Sequence, residues 1–214
     1  KRPIDIHLNG FEAFGVTTNY HEDYIYLSAK NGLRAATVFL SYPSVGATQN
    51  LLLLASGIEG KSVLYNAAQE PEILDLIEVL KLMGVKIELS FGGTITIYGS
   101  KSLKPFQYIV MPDRLEASTL LIAAALTKGS IHIPNAPAFA MKSIIHHLTK
   151  MGNKVFVGPN EYGITLEAAD IQTNVNAKTM PYPGLSTDYQ SPLLALMAVS
   201  RGQAIIHETV FENR

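Results

Sequence analysis

The chain has 214 residues, a formal net charge of −1, 47% hydrophobic and 16% charged residues, and no cysteine, which is material for one large packed domain or two smaller ones. Near-neutral charge supplies no basic field for nucleic acid or an anionic membrane, and the missing cysteines exclude a disulfide framework and thiolate chemistry within these residues. No apolar run reaches the ~18 residues of a membrane span, and no signal peptide is evident, although the chain opens at Lys1 rather than methionine.

Two marks recur along the chain at intervals of roughly 70 residues, the signature of a duplicated supersecondary unit. One is a leucine-rich phrase closed by glycine, found loosely at Leu8–Gly15, Leu80–Gly84 and Leu148–Gly152. The other is a strongly apolar run ending at Gly60, Gly129 and Gly202. Residues 1–29 then read as the second half of a unit. Asn31-Gly32 predicts a hairpin turn leading into a strand over Ala36–Ser41. After Ser44-Val45-Gly46-Ala47-Thr48, the run Asn50–Ala55 is apolar on every face and predicts a fully buried helix. Lys61–Asn66 reads as a short strand, and Glu72–Met83 as an amphipathic helix stopped by Gly84. Val85–Leu89 and Thr94–Tyr98 alternate across Gly92-Gly93, a second hairpin.

The order then repeats. Phe106–Met111 is a strand, Glu116–Thr127 a buried helix, Ser130–Pro134 a strand and Met141–Met151 an amphipathic helix. Lys154–Val157 and Gly163–Glu167 are paired strands, 170–186 is a loop, and residues from about 175 onward form a first half-unit. Half, one, one, half makes three units of strand, helix, strand, helix, strand, strand. Apolar helices beneath a sheet and amphipathic ones above it define an α/β layered class, with a boundary near Met111-Pro112.

Chemistry concentrates where the apolar helices begin. Ser44–Thr48 is a strand–glycine–helix turn, whose free backbone N–H groups can bind an anion or serve geometry alone. Ser186-Thr187-Asp188 is a helix cap on spacing alone, or a carboxylate placed to take a proton from a substrate hydroxyl. Asp113-Arg114-Leu115-Glu116 at the equivalent position reads as a cap, and Glu70-Pro71-Glu72 as a helix-opening turn. Arg2-Pro3-Ile4-Asp5 could clamp a planar or anionic ligand, although composition alone does not say so. The six histidines have no metal-ligand spacing, so neither a metal nor another cofactor is expected.

Six phrases occur in order: Arg2-Pro3-Ile4-Asp5-Ile6-His7, Pro43–Thr48, Asn66–Ile73, Pro112–Glu116, Thr187-Asp188-Tyr189-Gln190 and Thr209–Arg214. Together they resemble the UDP-N-acetylglucosamine enolpyruvyl transferases, over the whole chain. The resemblance implies an inside-out α/β barrel of βαβαββ units in two domains, each of three units. Residues 1–111 would be the C-terminal part of the first domain and 112–214 the N-terminal part of the second. The chain would then be the middle of an enzyme about twice as long.

The resemblance also implies roles. Arg2, Pro3, Ile4, Asp5 and Ile6 would hold the uridine and its neighbourhood, and Tyr42, Pro43, Ser44, Val45 and Gly46 would form the turn that meets the diphosphate. Many relatives carry a basic residue where Tyr42 stands. Asp188 would sit at the sugar 3-hydroxyl, Thr187 would be substrate-binding, Val210 would line the sugar pocket, and Arg214 would lie near the cleft. Asp188 and Arg2 would be catalytic, the former at the hydroxyl proton and the latter at phosphate charge. Partners would be UDP-N-acetylglucosamine, phosphoenolpyruvate and the missing halves of the enzyme, in the bacterial cytosol, with neither nucleic acid nor membrane. The resemblance assigns proton donation to a cysteine loop outside these residues, so the chain alone is expected to lack turnover. A non-catalytic nucleotide-sugar-binding module is the alternative.

Overall fold

The computed structural model describes residues 4–211. The chain divides into two compact units, Lys1–Val110 and Met111–Arg214. In the first, helix α1 (Asp5–Ala13) precedes a hairpin of β1 (Thr17–Tyr20) and β2 (Ile25–Ser28). There follow β3 (Thr37–Phe39), α2 (Val45–Ser56), β4 (Gly60–Tyr65), α3 (Pro71–Leu82), β5 (Lys86–Ser90) and β6 (Thr94–Gly99). A four-stranded sheet runs β3-β4-β6-β5; β3 and β4 are parallel and the other pairs antiparallel. Its strands alternate faces, so Leu64, Ile95 and Ile97 enter a core with Phe14, Leu51, Leu52, Ile73 and Ile77.

The second unit holds α4 (Arg114–Leu126), β7 (Ser130–Pro137), α5 (Lys142–Lys150), β8 (Lys154–Val157) and β9 (Tyr162–Glu167). The sheet order β7-β9-β8, all antiparallel, repeats β4-β6-β5. Then come β10 (Ala177–Lys178), a 3₁₀ turn Thr187–Tyr189, α6 (Gln190–Val199) and β11 (Ile206–His207), which pairs parallel with β10. Leu121, Ile144, Leu148, Ile164, Leu166, Tyr189 and Leu196 form this unit's core.

The glycine mark has a single structural meaning in all three copies. Gly15, Gly84 and Gly152 take φ of +97°, +98° and +106°, just past the ends of α1, α3 and α5. In each copy the glycine N–H donates three residues back, to the carbonyls of Glu12, Lys81 and Thr149. The following N–H closes the turn, from Val16 to Phe11, Val85 to Leu80 and Asn153 to Leu148. This left-handed cap satisfies the terminal carbonyls, and glycine adopts it without a Cβ clash. The other mark is looser: Gly60 and Gly202 have positive φ, but before Gly129 it is Lys128 that does.

Three expectations need correction. The Asn31-Gly32 turn forms, with Gly32 N–H on the Ala29 carbonyl, but β2 and β3 on either side lie in different sheets, so it makes no hairpin. Residues 106–111 form no strand: no ladder partner lies beside them, and Ile109 and Val110 are 93% and 71% exposed. Helices α2, α4 and α6 each bury one face and leave Leu53, Leu120 and Leu194 exposed, because among the described residues the sheet and its neighbours cover one side only. Fully apolar sequence is therefore compatible with one open face.

Candidate functional site

The first unit's candidate site is assembled by two helix starts. Ser44 has extended backbone and caps α2; its Oγ accepts from the Ala47 N–H at 3.3 Å, the geometry of an N-cap. The remaining first-turn N–H groups and the helix dipole make this end electropositive. Pro43 and Tyr42 lead into it, with the Ser44 N–H on the Tyr42 carbonyl at 2.7 Å. Val45 and Gly46 form the first helical turn.

Helix α1 brings the other phrase alongside. Ile4 is its N-cap position and Asp5 opens its first turn; both are exposed, while Ile6 packs against the unit's core. His7 reaches across to α2: its Nδ1 is 2.9 Å from Nδ2 of Asn50. An amide NH₂ only donates, so Nδ1 accepts in this contact. The ring covers Gly46, where an added Cβ would lie 3.2 Å from His7 Cε1 and 3.5 Å from Nε2. The close approach of the helices needs Gly10 as well, since a Cβ there would meet the Leu51 methyls at 2.6 and 2.7 Å. The structure thus places the phrases at residues 4–7 and 43–48 side by side.

A third phrase supports the same turn from behind. Asn66, at φ +55°, donates its side-chain amide to the Leu40 carbonyl at 2.8 Å, and the Ala68 N–H donates to Thr48 Oγ1 at 3.0 Å. Pro71 then occupies the first turn of α3, as expected of a helix-opening segment.

The second unit carries Thr187, Asp188 and Val210. Ser186 Oγ accepts from the Asp188 N–H at 3.3 Å and caps the 3₁₀ turn that runs into α6. Asp188 is exposed at the middle of this turn. Its neighbours point elsewhere: buried Tyr189 receives a hydrogen bond from Arg114 Nη1 at 3.3 Å, and Thr187 donates to Glu208 Oε2 at 2.9 Å. Val210, half-buried, donates its N–H to Glu208 Oε1 at 2.7 Å. Asp113 caps α4 as expected, accepting from the Leu115 and Glu116 N–H groups at 2.7 and 3.1 Å. Arg2, Pro3 and Arg214 lie outside the described residues.

Sequence reading overlooked His7 as a partner of Asn50, Arg114 as a partner of Tyr189, and Glu208 altogether. Only Glu208 left a local trace, an acid two residues before Val210 whose carboxylate can reach back-to-back N–H groups. Burial works to raise its pKa. The backbone N–H groups of Val210 and Phe211 and the hydroxyls of Thr187 and Thr179 outweigh it and hold the carboxyl below its ordinary value. Among the described residues no three His, Asp or Glu side chains gather as a metal site, and no helix is long and apolar enough to cross a membrane.

The model of the EPSP synthase (3-phosphoshikimate 1-carboxyvinyltransferase) family matches residues 1–214. The chain is 45% identical over 213 residues to UDP-N-acetylglucosamine 1-carboxyvinyltransferase 1 of Staphylococcus epidermidis, and 43% identical over 213 residues to its namesake in Staphylococcus aureus. In both cases all of this chain aligns with 50% of the relative, so it spans about half their length. Among solved structures it superposes on the enolpyruvyl transferase NikO of Streptomyces tendae with a TM-score of 0.86 and 26% identity, covering 100% of this chain and 53% of that one. An EPSP synthase from Acinetobacter baumannii shares the fold, with a TM-score of 0.60 at 17% identity over 96% of this chain and 48% of its own.

Proposed function

The chain belongs to the EPSP synthase family, and on that premise we propose that it carries part of the substrate site of an enzyme that transfers enolpyruvyl to UDP-N-acetylglucosamine. That reaction is the first committed step of peptidoglycan synthesis, and the reading places the protein in the bacterial cytosol, where both substrates occur. The observation that carries the reading is the His7–Asn50 contact, which sets the Ile4–Ile6 stretch beside the Ser44–Gly46 turn. Helix-start N–H groups at residues 45–46 suit a diphosphate, and the neighbouring first turn of α1 suits the attached nucleoside. Residues 1–111 and 112–214 would be parts of successive domains.

In the reaction the sugar 3-hydroxyl adds to C2 of phosphoenolpyruvate as a proton is delivered to C3. Loss of a proton from C3 with departure of phosphate from C2 then yields the enol ether. Asp188 takes the hydroxyl proton. An exposed carboxylate at a helix start is a weak base, so its main contribution is to orient the hydroxyl. Thr187 and Val210 shape the wall around the sugar, and Arg2 and Arg214 are assigned to phosphate charge and the cleft. These 214 residues contain no cysteine, so a protonating thiol is not among their groups. That absence favours a second reading in which the chain by itself binds the nucleotide sugar without turnover.

Calorimetric titration of the chain with UDP-N-acetylglucosamine tests the proposal. Saturable binding that Asp188→Ala weakens supports it. Equal heats for UDP-N-acetylglucosamine and a buffer blank would sink it. Phosphate release on adding phosphoenolpyruvate would exclude the second reading.

A further inference from the structure

We propose that Glu208 is a positioning residue that joins the Asp188 turn to the Val210 segment and so fixes the sugar-facing wall as one piece, an inference that rests on the sugar-site reading above. Its two carboxylate oxygens serve different segments. Oε2 accepts from Thr187 Oγ1 at 2.9 Å, next to Asp188 in sequence. Oε1 accepts from the Val210 and Phe211 N–H groups at 2.7 and 3.1 Å. Thr187 and Glu208 are 21 positions apart, so this is a tertiary clamp rather than a local turn.

The clamp is itself anchored. Thr179, fully buried, accepts the Thr209 N–H at Oγ1 at 3.0 Å and takes the Thr209 hydroxyl on its carbonyl. Its own N–H donates to the His207 carbonyl at 3.0 Å, extending the β10–β11 pairing into the segment. On the other flank, Tyr189 is held by Arg114 in the core. Both neighbours of Asp188 are therefore fixed by side chains from elsewhere in the unit, while Asp188 stays exposed. A carboxylate is the side chain that can do this, since it offers several lone pairs and accepts charge-assisted hydrogen bonds from two directions. Glutamine retains most of the arrangement: its oxygen can serve Val210 and Phe211, and its NH₂ can donate to a Thr187 hydroxyl that has turned to accept.

The test compares the affinities of UDP-N-acetylglucosamine and UDP for the full chain and for Glu208→Ala, Glu208→Gln and Asp188→Ala. Glu208→Ala is expected to lose about tenfold in affinity for the sugar nucleotide, the size of one or two net hydrogen bonds, with UDP affinity unchanged. Glu208→Gln should recover most of that loss. A purely structural role would lower the melting temperature of Glu208→Ala without changing the ratio of the two affinities. If Glu208→Ala keeps the wild-type ratio while Asp188→Ala loses it, the clamp is refuted and the site reading stands. If the wild-type chain binds UDP-N-acetylglucosamine no better than UDP, the site reading falls and the role of Glu208 falls with it. Should Glu208→Ala not fold, the outcome rests on Glu208→Gln and Thr187→Val. A Thr187→Val variant that keeps the wild-type ratio overturns the proposal.

Discussion

Nδ1 of His7 lies 2.9 Å from Nδ2 of Asn50, and through that contact the first turn of one helix is pinned to the first turns of another. The ring that makes the contact also covers Gly46. A family phrase at the start of the chain and another some forty residues later are thereby turned into one surface.

The first consequence concerns Gly46. Alanine there has the better helix propensity, by about 0.8–1.0 kcal/mol, but its Cβ would press on His7 at 3.2 Å. Gly46→Ala should therefore change stability by less than ~1 kcal/mol, because the two effects oppose. Nucleotide-sugar affinity should nonetheless fall about tenfold as the ring is pushed over the helix start. Paired thermal unfolding and calorimetry read both quantities, and an unchanged affinity would remove His7 from the site's architecture.

Gly10 makes a packing prediction. Its substitution by alanine drives a Cβ to 2.6 Å from the methyls of Leu51, a core residue with no exposed surface. Overpacking of this kind costs about 1–3 kcal/mol. In denaturant titrations the Gly10→Ala, Leu51→Ala double variant should be less destabilised than the sum of the singles, since each relieves the other's misfit.

The repeat predicts a third result. Gly84 has φ +98° and only the Lys104 side chain near it, at 3.9 Å, so Gly84→Ala isolates the backbone term. A loss of roughly 1–2 kcal/mol is expected from forcing a Cβ into the left-handed region. An effect near zero would mean that the recurrent cap is not what stops these helices.

How much of this was legible in the sequence follows from the range of each interaction. Helix α3 was expected over Glu72–Met83 and runs Pro71–Leu82, because its apolar period and its glycine stop are both local signals. The strand expected at 106–111 failed because apolar residues alone do not supply a ladder partner. The open faces of α2, α4 and α6 were invisible for a related reason: leucine on every side does not say which side is covered. Asp113 was readable as a cap because the accepting oxygen and the N–H lie within three residues; the Ser44 cap is equally local. The Glu208 clamp was not, since its Thr187 partner is 21 positions away.

Glu208 also sets a pH dependence. Its carboxyl is held below its ordinary value in the folded chain, so the stability it confers is present above the unfolded carboxyl pKa of about 4.3. That stability is lost as pH falls through the lower folded value. In an acid titration followed by amide-resolved NMR, the Val210 and Phe211 N–H protons should shift together below the usual carboxylate range. Glu208→Gln should abolish the shift, and a titration at the ordinary value would contradict the hydrogen-bond assignment.

Asp188 carries the catalytic prediction. On the proposed reading, an enolpyruvyl transferase built around these residues should release phosphate at least ~100-fold more slowly with Asp188→Ala, within the usual range for positioned acid–base groups. A near-normal rate would remove Asp188 from the chemistry.

The central claim is that the helix start at Ser44–Gly46 receives the diphosphate of a nucleotide sugar. Amide-resolved NMR of the chain titrated with UDP-N-acetylglucosamine, and separately with UDP, tests it residue by residue. The account predicts that both ligands move the N–H resonances of Val45, Gly46 and Ala47. Saturating UDP-N-acetylglucosamine that leaves residues 45–47 unmoved would contradict it.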